Sequence, residues 1–279
     1  MKRVLITGAN SYVGINAAKW LSKFPDDYSV EMLSVRDESW AIKDFSKYDV
    51  VLHTAGIAHI KETKNNASLY YKVNRDLAYE VANKARNSGV EQFIFLSSMS
   101  VYGIESGEIN RFTKTSPKSH YGKSKLQAEE LIGYLKSDSF KVAILRPPMI
   151  YGKGCPGNFN GLIKIAKHTP IFPDMDNRRS MLHINNLSEF LRLVIKNQET
   201  GLFFPQNQEF VNVSEMVKIL AQKYDKKITL VNIFNPLIKL LIGRVGVVNK
   251  VFGNLVYEID QSKYPENYSI LDFTESIKN

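Results

Sequence analysis

Cysteine is all but missing from this chain of 279 residues, where Cys155 stands alone. One thiol closes no intramolecular disulfide and builds no cysteine zinc site, so an ordinary buried core in a reducing compartment is expected, with no metal centre. Long apolar runs are missing too. The most hydrophobic part of the C-terminal region is broken by Lys239, Arg244 and Lys250, short of the roughly 18 uninterrupted apolar residues a spanning helix needs. No integral membrane segment is expected. The opening run Val4-Leu5-Ile6 ends in Thr7-Gly8, too short for the core of a secretory signal, which points to a cytoplasmic location. Acidic residues are in deficit: 28 Asp and Glu against 37 Lys and Arg leave a formal charge of +9. That excess favours anionic partners. The basic residues are scattered, without an arginine-rich tail or an aromatic-basic array, so a phosphorylated small molecule is expected rather than nucleic acid.

What is present is a globular composition, 44% hydrophobic and 23% charged, with alternating short and long segments. β-Branched runs at 3–7, 29–35, 50–53, 92–97 and 141–145 are separated by stretches with helical spacing, the pattern of strand–helix–strand units. Val50-Val51-Leu52 and Phe93-Ile94-Phe95-Leu96 are continuously apolar, as strands covered on both faces must be. The expected architecture is α/β: a doubly wound parallel sheet with a smaller C-terminal lobe. After Arg146-Pro147-Pro148 the texture turns to glycine, proline and asparagine, then to helices including 214–223 and 237–242. The expected division is a dinucleotide-binding domain over 1–152, with part of 181–205 packing back on it, and a substrate lobe over 153–279. The stretch 235–254 combines leucine and isoleucine with Lys239, Arg244 and Lys250. Gly243 and Gly246 make it a poor continuous membrane-surface helix, and an apolar face packed within the lobe is the expected reading.

Chemistry concentrates in three places. Thr7-Gly8-Ala9-Asn10-Ser11-Tyr12-Val13-Gly14 follows the first strand and opens a helix, whose free N–H groups suit a pyrophosphate. Ser11 stands where the usual fingerprint has its second glycine, tolerable if its hydroxyl bonds a phosphate. Ser97-Ser98-Met99-Ser100-Val101-Tyr102-Gly103 ends the fourth strand, and Tyr121-Gly122-Lys123-Ser124-Lys125 opens the next helix. Serine, tyrosine and lysine then meet at the carboxyl edge of the sheet, where such folds bind ligands. Tyr121 and Lys125 share a helix face, so the ammonium can lower the phenol's pKa from about 10 and bond a ribose. Ser98 would hold a substrate oxygen while the tyrosine gives or takes its proton.

The ordered set 7–14, His53-Thr54-Ala55-Gly56-Ile57-Ala58-His59, Asn74, 97–103, 121–125 and Leu145-Arg146-Pro147-Pro148-Met149-Ile150-Tyr151-Gly152 resembles the extended short-chain dehydrogenase/reductase family, the NAD-dependent epimerases and dehydratases of nucleotide sugars. The resemblance covers nearly the whole chain. It implies that Ser98, Tyr121 and Lys125 are the catalytic trio. It places the cofactor against Gly8, Asn10, Ser11, Tyr12, Val13, Gly14, Thr54, Ala55, Gly56, Asn74, Tyr121, Lys125 and Pro147, and the sugar nucleotide against Ser98, Ser100, Asn158 and Arg179. Arg179 would clamp a phosphate, a task suited to a planar guanidinium. His53 and His59 are not a metal pair on this reading.

In the family's 4,6-dehydratases an Asp-Glu pair precedes Val-Tyr-Gly; here those positions are Met99 and Ser100, so dehydration is disfavoured. The closest likeness is to bacterial UDP-4-keto-6-deoxy-N-acetylhexosamine 4-reductases of surface polysaccharide synthesis, with UDP-glucose 4-epimerase as the alternative and a non-catalytic dinucleotide-binding protein as a further one. Arg36, after the second strand, suits a 2′-phosphate and points to NADP(H), although Asp37 beside it suits NAD(H). A homodimer is implied by the family. The segment 260–279 looks short of the family's final turn.

Overall fold

A computed structural model describes residues 1–58, 60 and 62–278, which form two compact units. His59 lies outside the described residues. The first unit comprises Met1–Gly103, Lys114–Pro147 and Leu187–Pro205; the second comprises Ile104–Thr113, Pro148–Asn186 and Gln206–Asn279. The division expected after residue 152 thus falls after Pro147, and 104–113 belongs to the second unit. Strand pairing explains both differences. Met149–Tyr151 pairs with Met181–His183, and Gly107–Ile109 pairs with Leu255–Tyr257, so each segment is hydrogen-bonded within the second unit.

In the first unit, β1 (Lys2–Thr7), β2 (Tyr28–Leu33), β3 (Val50–His53), β4 (Gln92–Leu96), β5 (Lys141–Leu145) and β6 (Gly201–Phe203) form one parallel sheet in the order β6-β5-β4-β3-β1-β2. The chain runs outward from β1 to β2, then restarts on the other side of β1 with β3. This reversal opens a crevice beyond the carboxyl ends of β1 and β3, where ligands of doubly wound sheets bind. β6 was not foreseen: three residues that begin with a glycine, pairing only with β5, carry no periodicity.

The longer helices of this unit are α1 (Tyr12–Leu21), α2 (Leu77–Asn87), α3 (His120–Gly133) and α4 (Ile184–Lys196), the last belonging to this unit from Leu187 onward. Leu5, Val51, Phe93 and Phe95 from the strands pack with Ala78, Val81 and Ala82 of α2 and with Ala128 and Ile132 of α3. Small residues on α2 let that helix lie close to the aromatic strand face. Elsewhere, Trp20 on α1 donates to Glu189 on α4 (2.8 Å), and Gln92 on β4 donates to the Val194 carbonyl (3.0 Å).

Arg146, just beyond β5, makes the most demanding polar contact of this unit. Its Nε and Nη2 donate to the Glu129 carboxylate on α3 (3.0 and 2.6 Å), and its Nη1 donates to the Tyr102 hydroxyl (2.9 Å). All three side chains are buried. Buried too is His53 at the end of β3, stacked on Phe93 and Phe95 with ring centroids 6.0 and 6.1 Å away, its Nδ1 2.8 Å from Thr7 Oγ1. Burial, aided by the Lys125 charge, holds its imidazole down to about 3.

The second unit is built from three two-stranded pairs, the two above and Ile171–Pro173 with Thr229–Val231. Its helices are Asn158–His168, Val213–Lys223, Asn235–Leu241, Gly246–Phe252 and Phe273–Lys278. The buried Tyr151 hydroxyl accepts from Asn207 Nδ2 (2.9 Å) and lies 2.5 Å from Ser276 Oγ. His183 is held down to about 4, by burial first and the Lys223 charge second.

Two outcomes follow for stability. Removing one member of a buried ion pair strands the other's charge, so Arg146→Met lowers unfolding free energy by about 3 kcal/mol, whereas Arg146→Met with Glu129→Met costs less than either single change; urea titration followed by circular dichroism measures both. The two buried imidazoles sit at about 3 and about 4 against an ordinary 6.5. The unfolded chain therefore binds more protons than the folded one between those values, and stability is lost as pH falls from 6.5. The loss from these two groups is about 2 kcal/mol between pH 6 and pH 5. Melting curves across that window test it, with His53→Gln removing about half of their contribution to the slope.

Candidate functional site

The turn from β1 into α1 lies directly against the segment after β3. A side chain on Gly8, whose φ is +103°, would place Cβ 2.7 Å from the Ala55 nitrogen; one on Gly14 would place it 2.7 Å from Thr54 Oγ1. Both positions admit only glycine. Ser11 caps α1: its Oγ accepts from the Gly14 N–H (2.9 Å) and lies 2.6 Å from Thr54 Oγ1. The hydroxyl expected to reach a phosphate is thus committed to the turn itself. Asn10 is exposed, and Tyr12 and Val13 are half-buried in the first turn of α1, which carries no acidic residue to offset its positive end.

At the second strand, Arg36 is exposed. The neighbouring Asp37 is occupied, since its carboxylate caps the short turn 38–42 by accepting from the Ser39 N–H (3.0 Å).

Ser98 follows β4 and begins the short turn Met99–Tyr102, its Oγ accepting from the Ser100 N–H (3.1 Å). Ser100 itself is exposed. Pro147 joins this segment through its carbonyl, which accepts from the Met99 N–H (3.0 Å). Tyr121 stands in the first turn of α3. Burial raises its pKa above the ordinary phenol value, and Ser98 works against the rise. Lys125, one turn later, donates to the Leu96 carbonyl (2.8 Å) and lies over the Phe95 ring at 4.7 Å. Burial lowers its ammonium to about 8, opposed by Glu129. The expectation of a lowered Tyr121 phenol is therefore corrected: burial is the largest influence on it and leaves its pKa above the ordinary value.

Asn74 joins the strand end to α3. Its Oδ1 accepts from the Ile57 N–H (2.8 Å), and its Nδ2 donates to the Ile57 carbonyl (3.0 Å) and to Ser124 Oγ (3.2 Å). It sits in a π-turn, Lys72–Asp76, inserted between Ala67–Tyr71 and α2, a distortion that re-aims side chains. Gly56 allows the approach, because a Cβ there would lie 3.0 Å from Asn74 Oδ1 and 3.3 Å from Lys125 Nζ.

One contributor was missed. Glu62 accepts from the backbone N–H groups of His120 (3.0 Å) and Tyr121 (2.9 Å), so a carboxylate caps the helix that carries Tyr121 and Lys125. Nothing in the sequence signals a cap arriving from a loop 59 residues upstream of Tyr121.

The remaining expected contacts lie in the second unit. Asn158 is exposed at the first turn of Asn158–His168. Arg179 is buried, and its Nη1 donates to the carbonyls of Asn249 (3.1 Å) and Gly253 (2.8 Å); Arg178 is the exposed neighbour, over the Phe210 ring at 4.6 Å. Part of the Arg179 guanidinium is thus spent inside its own unit.

The first-unit residues fit a dinucleotide. Two steric glycines, an uncompensated helix N-terminus and the buried, unpartnered His53 Nε2 and Ser97 Oγ lie along the strand ends that border the crevice. Among the described residues no cluster of His, Cys, Asp or Glu could hold a metal ion.

Comparison with known proteins agrees with this geometry. Residues 4–204 match the model of the NAD dependent epimerase/dehydratase family. A UDP-glucose 4-epimerase of Vibrio cholerae is 31% identical, over 94% of this chain and 89% of that protein. The N-acetyl-alpha-D-glucosaminyl-diphospho-ditrans,octacis-undecaprenol 4-epimerase of Escherichia coli O157:H7 is 29% identical, over 90% and 81%. Among solved structures, the Bacillus cereus UDP-glucuronic acid 4-epimerase with NAD superposes with a TM-score of 0.76 at 19% identity, over 99% of this chain and 96% of that one. A dTDP-4-dehydrorhamnose reductase of Clostridium acetobutylicum gives 0.74 at 20% identity, over 99% and 97%. The chain belongs to the NAD dependent epimerase/dehydratase family and is an NAD(P)-dependent enzyme of the extended short-chain dehydrogenase/reductase type.

Proposed function

We propose that this enzyme reduces the 4-keto group of a UDP-4-keto-6-deoxy-N-acetylhexosamine in surface polysaccharide synthesis, acting in the cytoplasm as a homodimer. The observation that carries the reading is the Tyr121 hydroxyl, kept protonated by burial at the carboxyl edge of the sheet. A protonated phenol is the acid that carbonyl reduction requires. Ser98 orients the carbonyl oxygen, Tyr121 delivers the proton to it, and Lys125, fixed on the Leu96 carbonyl, holds a positive charge beside the developing alkoxide. A bound nicotinamide would supply the hydride. Met99 and Ser100 provide no carboxyl group for dehydration. Asn158 and Arg179 are the proposed contacts of the sugar nucleotide in the second unit. NADPH is the proposed reductant, because Asp37 is spent on its cap while Arg36 is exposed.

A second reading, a 4-epimerase that oxidises and re-reduces C4 on retained NAD, is favoured by the names of two relatives matched over most of their length. Incubation with a UDP-4-keto-6-deoxy-N-acetylglucosamine and NADPH separates the two. Stoichiometric NADPH loss with a gain of two hydrogens in the product mass supports the reductase. Interconversion of a UDP-hexose without added reductant supports the epimerase.

Two variants test the assignments. Tyr121→Phe lowers kcat by about 100-fold or more with little change in melting temperature; unchanged turnover rejects the mechanism. Arg36→Glu raises the KM for NADPH by about tenfold and leaves that for NADH within a few fold. Initial rates with each cofactor decide the point.

A further inference from the structure

The stretch from 226 to 257 contains no aspartate or glutamate and five cations, Lys226, Lys227, Lys239, Arg244 and Lys250. Its two helices, Asn235–Leu241 and Gly246–Phe252, are separated by a tight turn at Gly243, whose φ is +86°. They therefore form a bent pair rather than one rod. Ile238 is turned inward at 8% exposure, and Asn249 is buried, accepting from the Gly243 N–H (2.6 Å) and donating to the Glu105 carboxylate (3.1 Å). These contacts fix the inner side. The outer side is apolar and open to solvent: Ile233 is 80% exposed, Val247 74%, Leu237 59%, Leu240 57%, Phe234 40% and Val245 38%. Six aliphatic or aromatic groups on one short stretch are more than scattered surface hydrophobics.

We propose that this outer side docks on an anionic lipid bilayer, with Leu237, Leu240 and Val247 entering the headgroup boundary and Lys239, Arg244 and Lys250 meeting lipid phosphates. Apolar groups flanked by cations, with no acid in the segment, are the complement of such a surface. A second copy of the chain fits less well, because a two-fold contact through this patch would bring the cations Lys239, Arg244 and Lys250 of one copy against the same cationic set of the other. Nucleic acid fits less well again, since most of the exposed apolar groups are aliphatic and stack no bases. No helix among the described residues is long and apolar enough to cross a membrane.

The test is sedimentation of the full chain with vesicles of phosphatidylcholine alone, or with about a third phosphatidylglycerol. At low salt the pelleted fraction rises about fivefold or more with the anionic lipid and falls back in half-molar salt. The double variant Leu237→Glu/Leu240→Glu abolishes pelleting while keeping the melting temperature of the wild type. No pelleting on anionic vesicles overturns the proposal, as does equal pelleting of wild type and variant. A lipid-free dimer that the double variant dissociates, seen by light scattering, overturns it in favour of a second copy. None of these readouts depends on which reaction the enzyme performs.

Discussion

The buried Arg146–Glu129 pair governs the geometry of the catalytic edge. Arg146 follows β5, Glu129 stands one turn beyond Lys125 on α3, and Tyr102 ends the segment that begins at Ser98. One guanidinium thus locks three separately folded pieces of chain. A desolvated pair is poor at adding net stability but strict about geometry, since any slip leaves a charge unpaired in a low dielectric. Tyr121 and Lys125 inherit their positions from that strictness, and Glu62 secures the other end of the same helix.

Dryness shapes the chemistry of this edge. Burial pushes Tyr121 up and Lys125 and His53 down, in each case toward the neutral form. Charge survives on Lys125 at neutral pH because the Leu96 carbonyl and the nearby Glu129 sustain it. A cation retained in dry surroundings exerts a long electrostatic reach, where an oxygen on the substrate gains or loses negative charge.

Much of this was legible in the sequence, for physical reasons that differ between elements. β1, β3, β4 and β5 could be read within a residue or so because strands covered on both faces must be continuously apolar. The positions of Gly8, Ser98, Tyr121 and Lys125 at the carboxyl edge followed from strand–helix alternation. What could not be read depends on partners distant in sequence. β6 exists because β5 offers an open edge, the Ser11 hydroxyl meets Thr54 from 43 residues away, and Glu62 reaches α3 from a loop with no local pattern. The residues 104–113 joined the second unit through pairing with Leu255–Tyr257, a contact between segments nearly 150 residues apart.

Ser11 carries one more implication. A turn with glycine at that position keeps its amides unbonded until a phosphate arrives, and a flexible loop must be ordered at that moment. Here the serine hydroxyl already holds the Gly14 amide and the Thr54 hydroxyl, so the cradle is formed in advance. Less ordering entropy is then lost on cofactor entry, and fewer amides remain to grip the pyrophosphate afterwards. The two effects oppose each other, since a preformed cradle tightens binding while an amide already bonded weakens it.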